Sequence, residues 1–191
     1  MKTASKLILA SGSPRRRELL TRANIEFEVI QSNVDEVREP RERARDYALR
    51  MAREKALAVS RRHRERPILG ADTVVECGDE ILEKPVDAND ATRMLTTLSG
   101  VTHTVVTAFA IASNGAIVAS DAVSSRVTFR NLTLDEIASY IATGEPFDKA
   151  GAYGIQGIGG GFISQVEGSR DNVMGLPTNA VIAALRAHEI L

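Results

Sequence analysis

Two long apolar-rich runs, Val101–Ala112 and Ala116–Phe129, flank Asn114-Gly115. Asn-Gly suits a two-residue turn with both φ angles positive, whose twist matches that of antiparallel strands. The pattern predicts a long β-hairpin, and the rest of the chain must pack around it. Further strands read from Leu7–Ala10, Phe27–Ile30, Ile68–Val75, Ile81-Leu82 and Phe162–Val166, with Gly78-Asp79 as the turn before Ile81. Helices alternate with them. Ser13 is placed as an N-cap with Pro14 at the first helical position, and Leu19, Leu20 and Ala23 supply that helix's apolar side. A long charged helix spans Pro40 to about Arg62. Asp87 with Asp90 opens a helix containing Met94, Leu95 and Leu98 that Gly100 closes. Thr133 and Glu136 form a capping box for a helix ending at Gly144. A last helix runs from Leu176 to Leu191, and its Val181, Ile182 and Leu185 serve either the core or a subunit contact. With no repeat and no linker, the pattern describes a single α/β domain over residues 1–191, with two lobes around a cleft.

Composition narrows the function. Lys and Arg number 24 against 25 Asp and Glu, a net charge of -1, so the basic excess of a polymeric nucleic-acid binder is missing. A small anionic ligand needs only a local cluster. One cysteine, Cys77, excludes a disulfide framework and a cysteine zinc site, and His63, His103 and His188 lack metal-ligand spacing. The start MKTASKLILASGS has too short an apolar run for a secretory signal, and no stretch reaches membrane-spanning length. A reducing, cytoplasmic setting without a membrane partner is expected.

Four segments carry candidate chemistry. In LILASGSPRRREL, Arg15, Arg16 and Arg17 crowd a helix start whose dipole is already positive, which is unfavourable unless an anion such as phosphate neutralises it. A solvated basic turn is the alternative. Lys55 lies within the helical stripe Ala44, Tyr47, Ala48, Met51 and Ala58, so it either snorkels outward or points into a polar cleft. Asp72 interrupts the apolar ILGADTVV, where a buried carboxylate must be hydrogen-bonded, ion-paired or holding a metal; Lys84 on the returning strand could supply a structural partner. In GAYGIQGIGGG, six glycines would let backbone approach a ligand, and Gln156 offers an amide that both donates and accepts.

Together, LASGSPRRREL, AREKA, LGADTVV, LEKPVDANDA, LSGVTHTVVTA, DKAGAYGIQG and GLP, in this order from Leu9 to Pro177, resemble the Maf family of nucleoside triphosphate pyrophosphatases. The resemblance implies a mixed, elongated, twisted sheet flanked by helices, similar to inosine triphosphatases. It also implies hydrolysis between the α- and β-phosphates with a divalent cation, Mg²⁺ or Mn²⁺, in a homodimer. By family role, Asp72 would be the proton acceptor. Arg15, Thr73 and Gln156 would set base specificity. Ser11, Ser13, Arg16, Lys55 and Lys84 would line the triphosphate site, and Glu36 with Asp72 would hold the metal. DKAGAYGIQG resembles the branch acting on dTTP and UTP; the alternatives are the 7-methyl-GTP branch and a nucleotide-binding regulator of division without catalysis. Arg170 and Asp171 depart from the family pattern, in which an aromatic commonly follows Gly-Ser.

Overall fold

The computed structural model describes residues 6–191. The elements follow as β1 (Leu7–Leu9), α1 (Pro14–Arg22), β2 (Phe27–Val29), α2 (Ala44–Ser60), β3 (Ile68–Cys77), β4 (Glu80–Leu82), α3 (Ala88–Leu98), β5 (Thr102–Ser113), β6 (Ala116–Phe129), α4 (Leu134–Ala142), β7 (Ile163–Glu167), α5 (Arg170–Met174) and α6 (Thr178–Ala187). Seven strands form one mixed sheet in the order β2-β1-β3-β5-β6-β7, with β4 paired to β3. The strand β1 runs parallel to both β2 and β3, while β4 and β7 run antiparallel to β3 and β6. The expected hairpin is β5–β6, and its turn residues Asn114 and Gly115 both have positive φ, 53° and 83°. The fold class is α/β, as the alternation of signals implied.

By contact density the chain divides into two compact units. The first holds the chain up to Asp72 together with Thr107–Val123 and Gly175–Leu191; the second holds Thr73–Val106 and Ser124–Met174. In the first, Ile8 and Leu9 pair with Ile68 and Leu69 and are fully buried, as suits a strand covered on both faces. The helix α2 is bound to β6 by Arg45, which donates to Asp121 and to the Ala122 carbonyl, and by Arg53, which donates to Ser120. The helix α2 also approaches β3 closely. A Cβ on Gly70 would stand 2.3 Å from the Ala52 carbonyl oxygen and 2.7 Å from the Ala56 nitrogen. Only glycine lets strand and helix backbones meet there, with alanines opposite.

The second unit is organised around aromatic side chains. Phe129 meets His103, Tyr153 and Phe162 at centroid distances of 5.0, 4.7 and 6.0 Å, and Tyr140 meets Phe162 at 5.0 Å, all edge to face. Such pairs contribute about 0.5–1.5 kcal/mol each beyond the area they bury. Around them pack Leu82, Met94, Leu95, Leu98 and Ile137. The capping box is present, with Thr133 accepting from the Glu136 amide and Glu136 from the Thr133 amide. Asp87 likewise caps α3 through the Asp90 amide at 2.8 Å.

Three boundaries differ from the sequence reading. The helix α2 begins at Ala44 rather than Pro40, because Arg41 adopts a left-handed φ of 64° and Arg43 is still extended. Pro40 therefore belongs to a turn. The last helix begins at Thr178, after Pro177, and stops at Ala187 before the left-handed Glu189. The short α5 had no distinct sequence signal and is separated from α6 by Gly175, with φ of 120°. Within α6, Val181 and Leu185 are core residues, which settles their use, while Ile182 is half-buried.

His103 is 2% exposed, with Nε2 2.7 Å from the Tyr153 hydroxyl. Burial lowers its pKa to about 4 from the ordinary 6.5, against a small upward pull from the Val101 backbone. The unfolded chain takes up this proton as pH falls through 6.5, whereas the folded chain refuses it until about 4. Stability present above pH 6.5 is therefore lost as pH falls toward 4, by roughly 3 kcal/mol for this one group. Urea unfolding of wild type and His103→Asn at pH 7 and pH 4 should show the wild type losing that much more than the variant. Equal losses would contradict the assignment.

Candidate active site

The first unit gathers charged side chains just past the C-terminal end of β1 and at Asp72 within β3. Ala10, past the end of β1, donates its amide to the Leu69 carbonyl, so the chain leaving β1 enters its loop alongside β3. The loop Ser11–Ser13 then turns into α1. Ser11 is buried, and its Oγ accepts from the Ser13 amide at 3.2 Å and from Arg16 Nη1 at 3.1 Å. Ser13 Oγ receives the Arg16 amide at 3.5 Å, a long N-cap. Arg16 Nε donates to the Gly175 carbonyl at 2.8 Å. The guanidinium is thus held by a serine at one end and backbone at the other. Arg15 is half-buried and adds its charge beside Arg16, while Arg17 is exposed.

Strand periodicity gives Asp72 its place. Gly70 and Asp72 lie two apart on β3 and share the face that meets α2, where Lys55 comes three residues after Ala52. Lys55 does not snorkel. It is 6% exposed, and its Nζ donates to Asp72 Oδ1 at 2.7 Å and to Glu36 Oε1 at 2.7 Å. The two carboxylate oxygens are therefore at most twice that distance apart. The cation meeting Asp72 is Lys55, although sequence reasoning offered Lys84 for a structural pair. The Lys55 flanks also differ slightly: Ala52, Ala56 and Val59 complete the buried stripe, whereas Ala58 is half-buried.

Burial raises the Asp72 carboxyl above the ordinary carboxylate range, opposed first by Lys55 and then by Arg16, with Glu36 adding to the rise. Asp72 is 6% exposed, Glu36 exposed, so one lysine links a desolvated carboxylate to a solvated one. Counting Arg15, Arg16 and Lys55 against Asp72 and Glu36 leaves the cluster one positive charge in excess. Two carboxylates beside a cationic loop suit Mg²⁺, which takes one or two carboxylates and completes its shell with waters and substrate phosphates. Among the described residues no group of three or more His, Cys, Asp or Glu could hold a metal ion by itself.

Thr73, Lys84 and Gln156 belong to the second unit. Thr73 is half-buried, Lys84 exposed after β4, and Gln156 exposed in the glycine-rich loop. Two residues escaped the sequence reading of the site. Gly70 sets the approach of α2 to β3, and a glycine inside an apolar strand is the signal that marked it. Gly175 supplies the carbonyl for Arg16 from a distant segment, which no local pattern announces.

A family model described as Maf-like protein matches residues 6–188. The chain belongs to the Maf family. Within that family it is similar to a dTTP/UTP pyrophosphatase of Escherichia coli O157:H7, 52% identical over 174 residues that cover 91% of this chain and 88% of that protein. A dTTP/UTP pyrophosphatase of Geotalea uraniireducens (strain Rf4) is 51% identical over 189 residues, covering 97% and 96%. Among solved structures, a nucleoside-triphosphatase / dITP/XTP pyrophosphatase of Mycobacterium abscessus aligns over 97% of this chain and 95% of its own, at 15% identity and a TM-score of 0.43. Among the described residues of this Maf-family chain, no helix is long and apolar enough to cross a membrane.

The two carboxylates predict unequal effects on stability. Lys55→Ala strands Asp72 as a buried, unpaired charge, which costs about 3–5 kcal/mol in comparable cases, and the loss should shrink at pH 5, where Asp72 can take a proton instead. Asp72→Asn leaves Lys55 paired with Glu36 and should cost less. Urea unfolding of both variants at pH 7.5 and pH 5 checks the order. A Lys55→Ala loss no greater than that of Asp72→Asn at pH 7.5 would contradict it.

Proposed function

We propose that the chain is a metal-dependent nucleoside triphosphate pyrophosphatase that hydrolyses dTTP and UTP to the monophosphate and pyrophosphate. The observation that carries this reading is Lys55 Nζ bridging Asp72 and Glu36, with Arg16 fixed by Ser11 and Gly175 in the same unit. Family membership and the printed activity of relatives over nine-tenths of the chain support the substrate class.

The chemistry requires charge neutralisation. A triphosphate carries about four negative charges, and attack at the α-phosphorus adds charge in the transition state. Arg16 and Arg15, with the amides and hydroxyls of Ser11–Ser13, form the phosphate cradle. An ammonium has three donors; two of Lys55's are committed to carboxylates, and the third serves a phosphate oxygen. Lys84 contributes a further cation to the phosphates. Asp72 Oδ1 accepts from Lys55, which leaves Oδ2 to take the proton of the attacking water. Its raised pKa makes it a better base than an ordinary aspartate while Lys55 keeps it ionised. A divalent cation held by Asp72 and Glu36 would neutralise phosphate charge and acidify water when bound.

Arg15, Thr73 and Gln156 are assigned to the base. Buried or oriented polar groups reject a wrong base edge far better than apolar shape does. With a substrate that is a diffusible nucleotide, the protein acts as a single functional domain in the cytoplasm, as a homodimer, with neither nucleic-acid nor membrane partners.

Steady-state pyrophosphate release from dTTP, UTP and GTP with Mg²⁺ or Mn²⁺ tests the reading. Asp72→Asn should retain the fold and lose at least about 10²-fold in kcat, the lower end of general-base contributions. Chelation of the divalent ion should abolish turnover, and Gln156→Ala should change the dTTP:GTP preference more than kcat. Wild-type turnover in Asp72→Asn would remove Asp72 from the reaction. Nucleotide binding without any pyrophosphate release by the wild type would favour the regulatory alternative.

A further inference from the structure

Three glycines of GIQGIGGG, Gly154, Gly157 and Gly159, make room for the protein's own side chains. A Cβ on Gly157 would lie 2.8 and 2.9 Å from the two carboxylate oxygens of Glu145, and one on Gly159 would lie 2.7 Å from the Tyr140 hydroxyl. One on Gly154 would meet Lys149 Cε at 2.8 Å. Gly157 also has φ of 84°, which side-chain-bearing residues rarely adopt. The loop is therefore seated against three residues that the assigned chemistry does not use.

Glu145 is the centre of this seat. It opens the 3-10 turn Glu145–Asp148 directly after Gly144, which ends α4. Its Oε1 accepts from the Tyr140 hydroxyl at 3.0 Å and from the Gly159 amide at 3.2 Å; its Oε2 accepts from the Ile158 amide at 3.1 Å. Lys149 Nζ returns to the Glu145 carbonyl at 2.5 Å and to Asp148 at 2.6 Å, which ties the turn to the segment entering the loop. Tyr140 is itself locked in the core against Phe162. Gln156 is exposed between Gly154 and Ile158, on a stretch whose glycine content would otherwise give it many conformations. The carboxylate of Glu145 takes both backbone amides that immediately follow Gly157, and so fixes where Gln156 can stand.

We infer that Glu145 is a positioning residue for base selection, which holds the Gln156 loop in one conformation through the Ile158 and Gly159 amides and the Tyr140 hydroxyl. The inference rests on the assignment of Gln156 to the nucleobase. A residue that only orients a recognition group acts on KM and on substrate ratios, since the phosphates and the attacking water are handled elsewhere.

The test uses the full-length protein with Glu145→Ala, Glu145→Gln, Tyr140→Phe and Gln156→Ala, assayed for pyrophosphate release from dTTP, UTP and GTP. Hydrogen exchange is followed over residues 155–161. Glu145→Ala should raise KM for dTTP and UTP about tenfold, lower the dTTP:GTP preference about tenfold and keep kcat within about threefold, with faster exchange in the loop. Glu145→Gln, which retains one acceptor oxygen, should fall between wild type and Glu145→Ala. Unchanged preference and exchange in Glu145→Ala would overturn the inference, as would an equal loss of kcat on every substrate, the mark of a partly unfolded population. If Glu145→Ala does not fold, Glu145→Gln and Tyr140→Phe carry the same test, and wild-type KM and preference in both would overturn it. A Gln156→Ala variant with unaltered preference would defeat the base assignment and this inference with it. Altered preference in Gln156→Ala but not in Glu145→Ala would defeat the inference alone.

Discussion

A single ammonium group between two carboxylates organises the candidate site. Lys55 Nζ stands 2.7 Å from both Asp72 and Glu36, and two of these three side chains are almost wholly withdrawn from water. Neither buried member is tolerable alone: an unpaired ammonium or carboxylate at that depth would change protonation or unfold its surroundings. Lys55 opposes the rise that burial imposes on the Asp72 carboxyl. An ionised, desolvated aspartate is what a water-activating base requires, and the same pairing leaves ammonium capacity for a phosphate. The exposed Glu36 extends the arrangement toward solvent, where an arriving polyanion and its cation would be met.

That interaction depends on backbone geometry more than on charge. Gly70 brings β3 against α2 at Ala52 and Ala56, and the two-residue period of the strand then delivers Asp72 to the height of Lys55. The parallel pairing of β1 with β3 carries the chain past Leu69 of the same strand as it enters the serine-arginine loop. Ser11 and Gly175 then fix Arg16. Glycine in the strand, alanines on the helix and a proline at the first turn of α1 are thus site residues in effect, although none offers a reactive group. In the second unit a similar economy holds, since the glycines around Gln156 are accounted for by Glu145, Tyr140 and Lys149 filling the space beside them.

Elements announced by local chemistry were legible in advance. Asn114-Gly115, Ser13-Pro14, Asp87 with Asp90, and Thr133 with Glu136 each satisfy backbone groups within a few residues, so their patterns carry their own explanation. The resemblance to the Maf family was likewise spread along nearly the whole chain. What could not be read depended on partners far away in sequence. The pairing of Lys55 with Asp72 is made possible by the strand-helix approach at Gly70. The late start of α2 is made by Arg41 entering a left-handed conformation after Pro40. The holding of Arg16 by Gly175 spans most of the chain, and the use of Gly157 and Gly159 to admit a glutamate and a tyrosine shows only in three dimensions.

The central claim is that Lys55 keeps a buried Asp72 ionised at neutral pH. Its most direct measure is the pH titration of the Asp72 carboxyl carbon by NMR, in the wild type and in Lys55→Met. The account predicts a wild-type carboxyl that titrates above the ordinary aspartate range yet is ionised at pH 7, and that moves further upward when the lysine is replaced. A carboxyl that titrates like an exposed aspartate, or that is indifferent to the loss of Lys55, would contradict it.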